Sequence, residues 1–196
     1  MLDMIACHQV RIALGFRAHS GWAAMVAVSG TLSAPHIVER RRITISDPQL
    51  PGSKQPYHAA AELPFSMAEA SLQRALESSR ALALDEISLS IKALRSQGHE
   101  VVACGLLLGS GKPLPELPAI LASHPLLHTA EGQMFRDVLS WAACACNLPV
   151  TAVPEKQLPA ASLSAIDSLG KAIGPPWTQD QKYATVAALM ALGPEC

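Results

Sequence analysis

Residues 10–28 read VRIALGFRAHSGWAAMVAV. Two apolar runs flank the small polar segment Ala18-His19-Ser20-Gly21, so the stretch predicts two strands of a hairpin. Side chains alternate along a strand, which puts Val10, Ile12, Leu14 and Phe16 of the first run on one face. The other face carries Arg11, Ala13, Gly15, Arg17 and His19. Small residues that give way to Arg and His mark a face that backbone or ligand approaches closely.

Downstream, Gly30 to Pro35 reads as a turn and His36 to Ile45 as a third strand, with Ile37, Ile43 and Ile45 on one face and Arg40, Arg42 and Thr44 on the other. The run Arg40-Arg41-Arg42 therefore splits between two faces and is not one patch. Ser46 to Pro64, which holds Gln55-Pro56-Tyr57-His58, reads as a loop whose length marks it as functional or mobile. A helix from Phe65 to Gln97 follows, stopped by Gly98, with Leu72, Leu76, Ala83, Ile87 and Leu94 as its apolar seam. Glu100 to Leu108 is nearly all apolar and suits a strand covered on both faces.

Gly109-Ser110-Gly111-Lys112 lacks the spacing of a phosphate loop, and Pro113 blocks an immediate helix, so a plain turn is expected. Next come Glu116 to Ser123, a break at His124-Pro125, a helix over Leu127 to Asn147 and a strand from Leu148 to Val153. The C-terminal part, from about residue 155, reads as helical: Ser162 to Ile173, a Gly174-Pro175-Pro176-Trp177 turn, then Thr178 to Leu192. There Thr178 and Gln181 have the spacing of a capping box.

Composition bounds the function. The 196 residues are 49% apolar and 16% charged, which fits a single globular domain spanning 1–196. A net charge of −1 leaves no global basic field, so nucleic acid would have to be held by a local patch. Aromatic residues, at 4%, leave little material for base stacking, and the three tryptophans read as packing residues. The five cysteines contain no Cys-x-x-Cys pair. Cys144 and Cys146 would point about 200° apart on a helix, so they read as ordinary thiols of a reducing, cytoplasmic environment. The first residues lack the basic start and apolar core of a signal peptide, and no run approaches the ~20 apolar residues that cross a bilayer.

Three consecutive strands, a long helix, a strand, a helix, a strand and closing helices form an order that resembles the ribonuclease H-like fold. Local features are similar to its Holliday-junction resolvase RuvC branch. Leu14-Gly15-Phe16-Arg17-Ala18-His19-Ser20-Gly21-Trp22 resembles that family's opening Gly-Ile-Asp-Pro-Gly strand and turn. Ala142 to Pro154 resembles its fifth strand, and Gln179-Asp180-Gln181-Lys182-Tyr183-Ala184 its closing Asp-x-x-Asp-Ala helix. The resemblance implies an α/β fold with a mixed five-stranded sheet, a three-strand antiparallel meander plus two parallel strands, flanked by helices. It also implies a two-metal nuclease site, which needs three or four converging carboxylates. Here Arg17 stands where the family's first Asp falls, Val101 to Leu108 carries no acid, and Tyr183 stands for the second helical Asp. Asp180 alone remains, so two-metal nuclease activity is not expected.

The polar residues left for that face are Arg17 and His19, His58, and His124, His128, Glu131 and Arg136. In an unbroken helix His124, His128 and Glu131 would line one side. Their spacing resembles half a zinc site without the internal Glu of the metalloprotease signature, and Pro125 breaks or starts the helix between the two histidines, so capping or half-exposed histidines are expected and no metal or cofactor. Glu131 and Arg136 are too far apart for a helical pair, and each needs a partner elsewhere. Arg17, His19, His128 and Arg136 together would form a pocket for phosphate or carboxylate; alternatively Arg17 pairs with Glu131 or Asp180. Two functions follow. One is non-catalytic binding of an anionic ligand or nucleic acid at the former active-site face, through Arg17, His19, His124, Arg136 and Asp180. The other is a hydrolase or transferase with His58 or His128 as base and Glu131 orienting it. A third reading gives the long helix a homodimer seam; no membrane partner is expected.

Overall fold

The computed structural model describes residues 9–109 and 113–193. Residues 110–112, on which the expected turn at Gly109 to Lys112 falls, lie outside them, as do the first eight and last three residues.

The opening hairpin forms as the alternation requires. β1 (Val10–His19) turns at Ser20-Gly21, with Gly21 in the left-handed region at φ +78°, into β2 (Trp22–Gly30), and β3 (Pro35–Thr44) completes an antiparallel meander. β4 (His99–Leu108) pairs parallel with β1, and β5 (Val150–Pro154) parallel with β4, in the order β3-β2-β1-β4-β5. This is the mixed five-stranded, helix-flanked sheet of the ribonuclease H-like arrangement.

The two faces of β1 set the two layers. Ile12, Leu14 and Phe16 point into a core with Met25, Ile43, Phe135, Val138 and Leu139, covered by α2 (Phe65–Ser96) and α4 (His124–Ala145). The buried stripe of α2 includes Ala75, Ala83, Ile87, Ile91 and Leu94, while Leu72 and Leu76 lie half-buried on its flank. On the other face, Ala13, Val26, Val28, Ala103 and Leu107 meet α6 (Gln179–Leu192), which α5 (Ala160–Ile173) backs. Gly15 and Gly105 are cross-strand partners there. A Cβ on Gly15 would lie 1.9 Å from the carbonyl oxygen of Ala184, and one on Gly105 2.1 Å from that of Ala187. The small-residue face of β1 is thus the bed on which helix backbone rests. Thr178 and Gln181 close the expected capping box at the start of α6.

Two local expectations are corrected and one short helix is added. Ser46 to Pro64 is not loop throughout: α1 (Pro56–Ala61) forms within it, with Pro56 in the first turn, where a missing N–H costs nothing. A short α3 (Leu117–Leu121) precedes α4. Of the two roles open to Pro125 it takes the starting one, in the first turn of α4, so the helix begins at His124 rather than Leu127 and carries both histidines. The arginine run splits as expected. Arg41 pairs with Glu86 at 2.7 Å on the α2 side, and Arg40 donates to the carbonyl of Ile173 at 2.8 Å beyond the opposite face.

Candidate functional site

Two clusters form toward the C-terminal end of the sheet, one on each side. The first is built on β1. Arg17, at the end of the strand, faces α6, where its Nη1 lies 2.9 Å from Oδ1 of Asp180 and its Nη2 donates to Oε2 of Glu155 at 3.3 Å. Its guanidinium also lies over the ring of Tyr183, 4.9 Å from the centroid. Nε2 of His19 is 3.1 Å from the same Asp180 oxygen but off the line of a hydrogen bond. The His19 ring stacks on Trp22 at 4.2 Å, and exposed Arg42 covers Trp22 at 4.1 Å. A cleft of about 300 Å³ lined by Leu108, Gly109, Pro154, Glu155 and Lys156 opens beside this group.

The cause of the Arg17 arrangement is local. The alternation of β1 aims residue 17 at α6, and the capping box fixes the first turn of that helix, where Asp180 is also favoured by the helix dipole. An arginine between two carboxylates is a neutralised centre rather than a free anion site. The expectation that Arg17 pairs with Asp180 holds, with Glu155 as a second partner that sequence reasoning missed. Glu155 follows directly after β5, so its position at the strand-end face was the signal available.

The second cluster is built on α4, which descends antiparallel to the strands into β5, so its first turns rise at the C-terminal end of the sheet. His124 and His128, one turn apart, have ring centroids 4.6 Å apart. His58 reaches them from α1, at 5.3 Å from His124 and 4.5 Å from His128. Glu131, one turn farther along α4, is wholly buried. Its Oε1 accepts from Nδ1 of His58 at 2.8 Å and from the His58 backbone N–H at 3.2 Å. With the carboxylate as acceptor Nδ1 is the donor, and in the neutral imidazole Nε2 is then the nitrogen that carries the lone pair. That Nε2 is buried and without a partner, as is Oε2 of Glu131.

The single pocket joining Arg17, His19, His128 and Arg136 does not form. Arg17 and His19 face α6, whereas His128 and Arg136 stand on α4 across the sheet. A strand that points residue 17 one way must point Phe16 into the α4 layer. Arg136 packs its guanidinium over Gly109 and Gly132. Burial lowers its proton affinity, an effect that neighbouring Asp137 opposes. Asp137 is pushed up by burial, with Arg136 and a hydrogen bond from Gln133 pulling the other way. Tyr57, beside the histidines, is raised by burial and then by Asp137 and Glu131.

Among the described residues, the one group of three metal-ligating side chains close enough to share an ion is His58, His124 and His128. The Asp and Glu pairs that two-metal nuclease chemistry needs are not assembled there. No helix among the described residues is long and apolar enough to cross a membrane.

No family model matches the chain, and no curated protein matches it. Solved structures do. Thermus thermophilus RuvC in complex with Holliday junction substrate superposes with a TM-score of 0.52 at 12% identity, covering 91% of this chain and 90% of that one. A second Thermus thermophilus RuvC structure gives 0.51 at 12% identity, covering 91% of each chain. At this identity the likeness is one of fold: the chain carries the ribonuclease H-like fold seen in RuvC.

Proposed function

We propose that this chain is a ribonuclease H-like binding module that takes an anionic ligand, nucleic acid foremost, on the α6 side of the sheet end and does not cut it by the two-metal route. The observation that carries this reading is the exposed Arg42–Trp22–His19 stack beside Arg17, which is itself neutralised between Asp180 and Glu155. Arg17 positions the face, and the charge offered to a ligand comes from Arg42. Arg42 is exposed, stacked on Trp22, and has no carboxylate within salt-bridge distance among the described residues. An arginine lying on an aromatic ring beside a histidine is a platform for a base or a phosphate. The fold shared with a RuvC solved on a Holliday junction makes branched DNA the first probe.

The test is fluorescence anisotropy of labelled branched and single-stranded DNA, with and without magnesium, at two salt concentrations. Expected is salt-sensitive binding that ignores magnesium and weakens several-fold in Arg42→Ala and in Arg17→Asp. No binding at low salt would remove nucleic acid, and magnesium-dependent cutting would overturn the reading.

A second reading is favoured by one contact, the 2.8 Å bond from His58 to buried Glu131. In it His58 or His128 serves as the base of a rebuilt hydrolase or transferase, with Glu131 orienting His58. Turnover of an ester or phosphoester substrate that His58→Gln abolishes would support it. Equal rates in wild type and variant would dismiss it.

A further inference from the structure

The histidine cluster stands across the sheet from Arg17 and is independent of the binding reading above. Four features of it need a common explanation. His58, His124 and His128 each offer a ring nitrogen, and those atoms all lie within 4.8 Å of one another. Nδ1 of His58 is committed to Glu131, which leaves Nε2 as the nitrogen the ring can offer to an ion. That nitrogen is buried and unpartnered, an arrangement that costs free energy unless something else accepts the lone pair. Glu131, finally, is a wholly buried carboxylate whose only hydrogen-bond partner among the described residues is His58.

A carboxylate that holds the far nitrogen of an imidazole, so that the near one is oriented and made more basic, is the outer-shell arrangement of histidine metal sites. We propose that His58, His124 and His128 bind one divalent transition-metal ion, zinc first, with Glu131 as the residue that positions His58. Three imidazoles without a carboxylate among the direct donors select zinc and its soft neighbours over magnesium or calcium, which demand oxygen ligands. Ligand nitrogens around tetrahedral zinc stand about 3.4 Å apart, so the set must contract. His124 and His128 are exposed and free to turn inward, whereas His58 is held in place by Glu131. Three protein ligands leave a fourth position on the solvent side, the coordination of a zinc centre that takes water or an exogenous ligand. The sequence hid this site because one ligand comes from α1, 66 positions before the next in the chain.

The experiment uses the untagged full chain, stripped by chelator and titrated with Zn²⁺ by calorimetry and with Co²⁺ by visible absorption. One ion per chain is expected, with the intense d–d bands of four-coordinate cobalt, a higher melting temperature with zinc, and no competition from a large excess of Mg²⁺. His124→Ala and His128→Ala change exposed side chains and leave the fold intact, so each should abolish stoichiometric binding while melting like the metal-free wild type. Glu131→Gln should weaken binding by about 10- to 100-fold through the misdirected His58. Cys144→Ser with Cys146→Ser should change nothing. The proposal is overturned if zinc shows no saturable event, if either histidine variant binds as tightly as wild type, or if binding follows the thiols.

Discussion

Gly15→Ala tests the closest packing in the fold. The added methyl would sit 1.9 Å from the carbonyl oxygen of Ala184, 2.7 Å from its carbon and 2.9 Å from Cβ of Ala188. None of these atoms is the end of a flexible side chain; all belong to the backbone or the short methyl of α6. Ordinary contact begins at 3.4 Å, so the helix must retreat by about 1.5 Å. Retreat of that size strips α6 from Ala13, Val26, Ala103 and Leu107 beneath it and forfeits a large part of their dispersion energy. Overpacking costs about 1–3 kcal/mol, and a backbone obstacle places this one near the top, about 3 kcal/mol. In a chain of this size that lowers the melting temperature by roughly 6–12 °C. Urea unfolding followed by circular dichroism measures it. Gly98→Ala is the control: at φ +85° with no atom within 4 Å it meets only backbone strain, about 1 kcal/mol. Because one displacement of α6 relieves both clashes, Gly15→Ala combined with Gly105→Ala should cost less than the sum of the two. A Gly15→Ala protein within about 1 kcal/mol of wild type, or a strictly additive pair, would refute the reasoning.

Three further outcomes can be checked directly. Arg17→Asp would gather three carboxylates with Asp180 and Glu155 where an ion pair network stood, so the metal-free protein should lose roughly 1–3 kcal/mol and recover part of it with Mg²⁺; a melting temperature indifferent to magnesium would count against the geometry. Cys104 is buried, and burial pushes its thiol up to about 12, with Cys144 adding to the rise, so only about one molecule in 10⁴ carries the thiolate at pH 8. Brief alkylation of the native protein followed by peptide mapping should label exposed Cys144 and leave Cys104 unmodified. The same raised value means that above the unfolded thiol's range, from 9.0 upward, the native state keeps a proton that the unfolded state has lost. Wild type should therefore lose about 1.4 kcal/mol per pH unit relative to Cys104→Val there; parallel pH profiles would reject this.

Much of the architecture was legible along the chain because its signals are local. Alternation in residues 10–28 set the hairpin and its two faces, and the glycine at position 15 announced a close approach. The 3.6-residue period and Gly98 bounded the long helix, and Thr178 with Gln181 marked the start of α6. These depend on neighbours a few positions away, so the sequence alone determined the order of the strands and long helices, but not the short α1 and α3. It also determined that the carboxylates of a two-metal site are missing, since that is a matter of residue identity. Tertiary structure alone decided which polar groups meet. Arg17 and His128 were expected together and lie on opposite sides of one sheet, because the parity that buries Phe16 forces residue 17 the other way. His58 and Glu131, 73 positions apart, meet because Pro56 starts a helix that packs between α2 and α4. The burial of Glu131 rests on the same packing. A contact across that separation is fixed by how layers stack, and nothing in the periodicity of either segment encodes it.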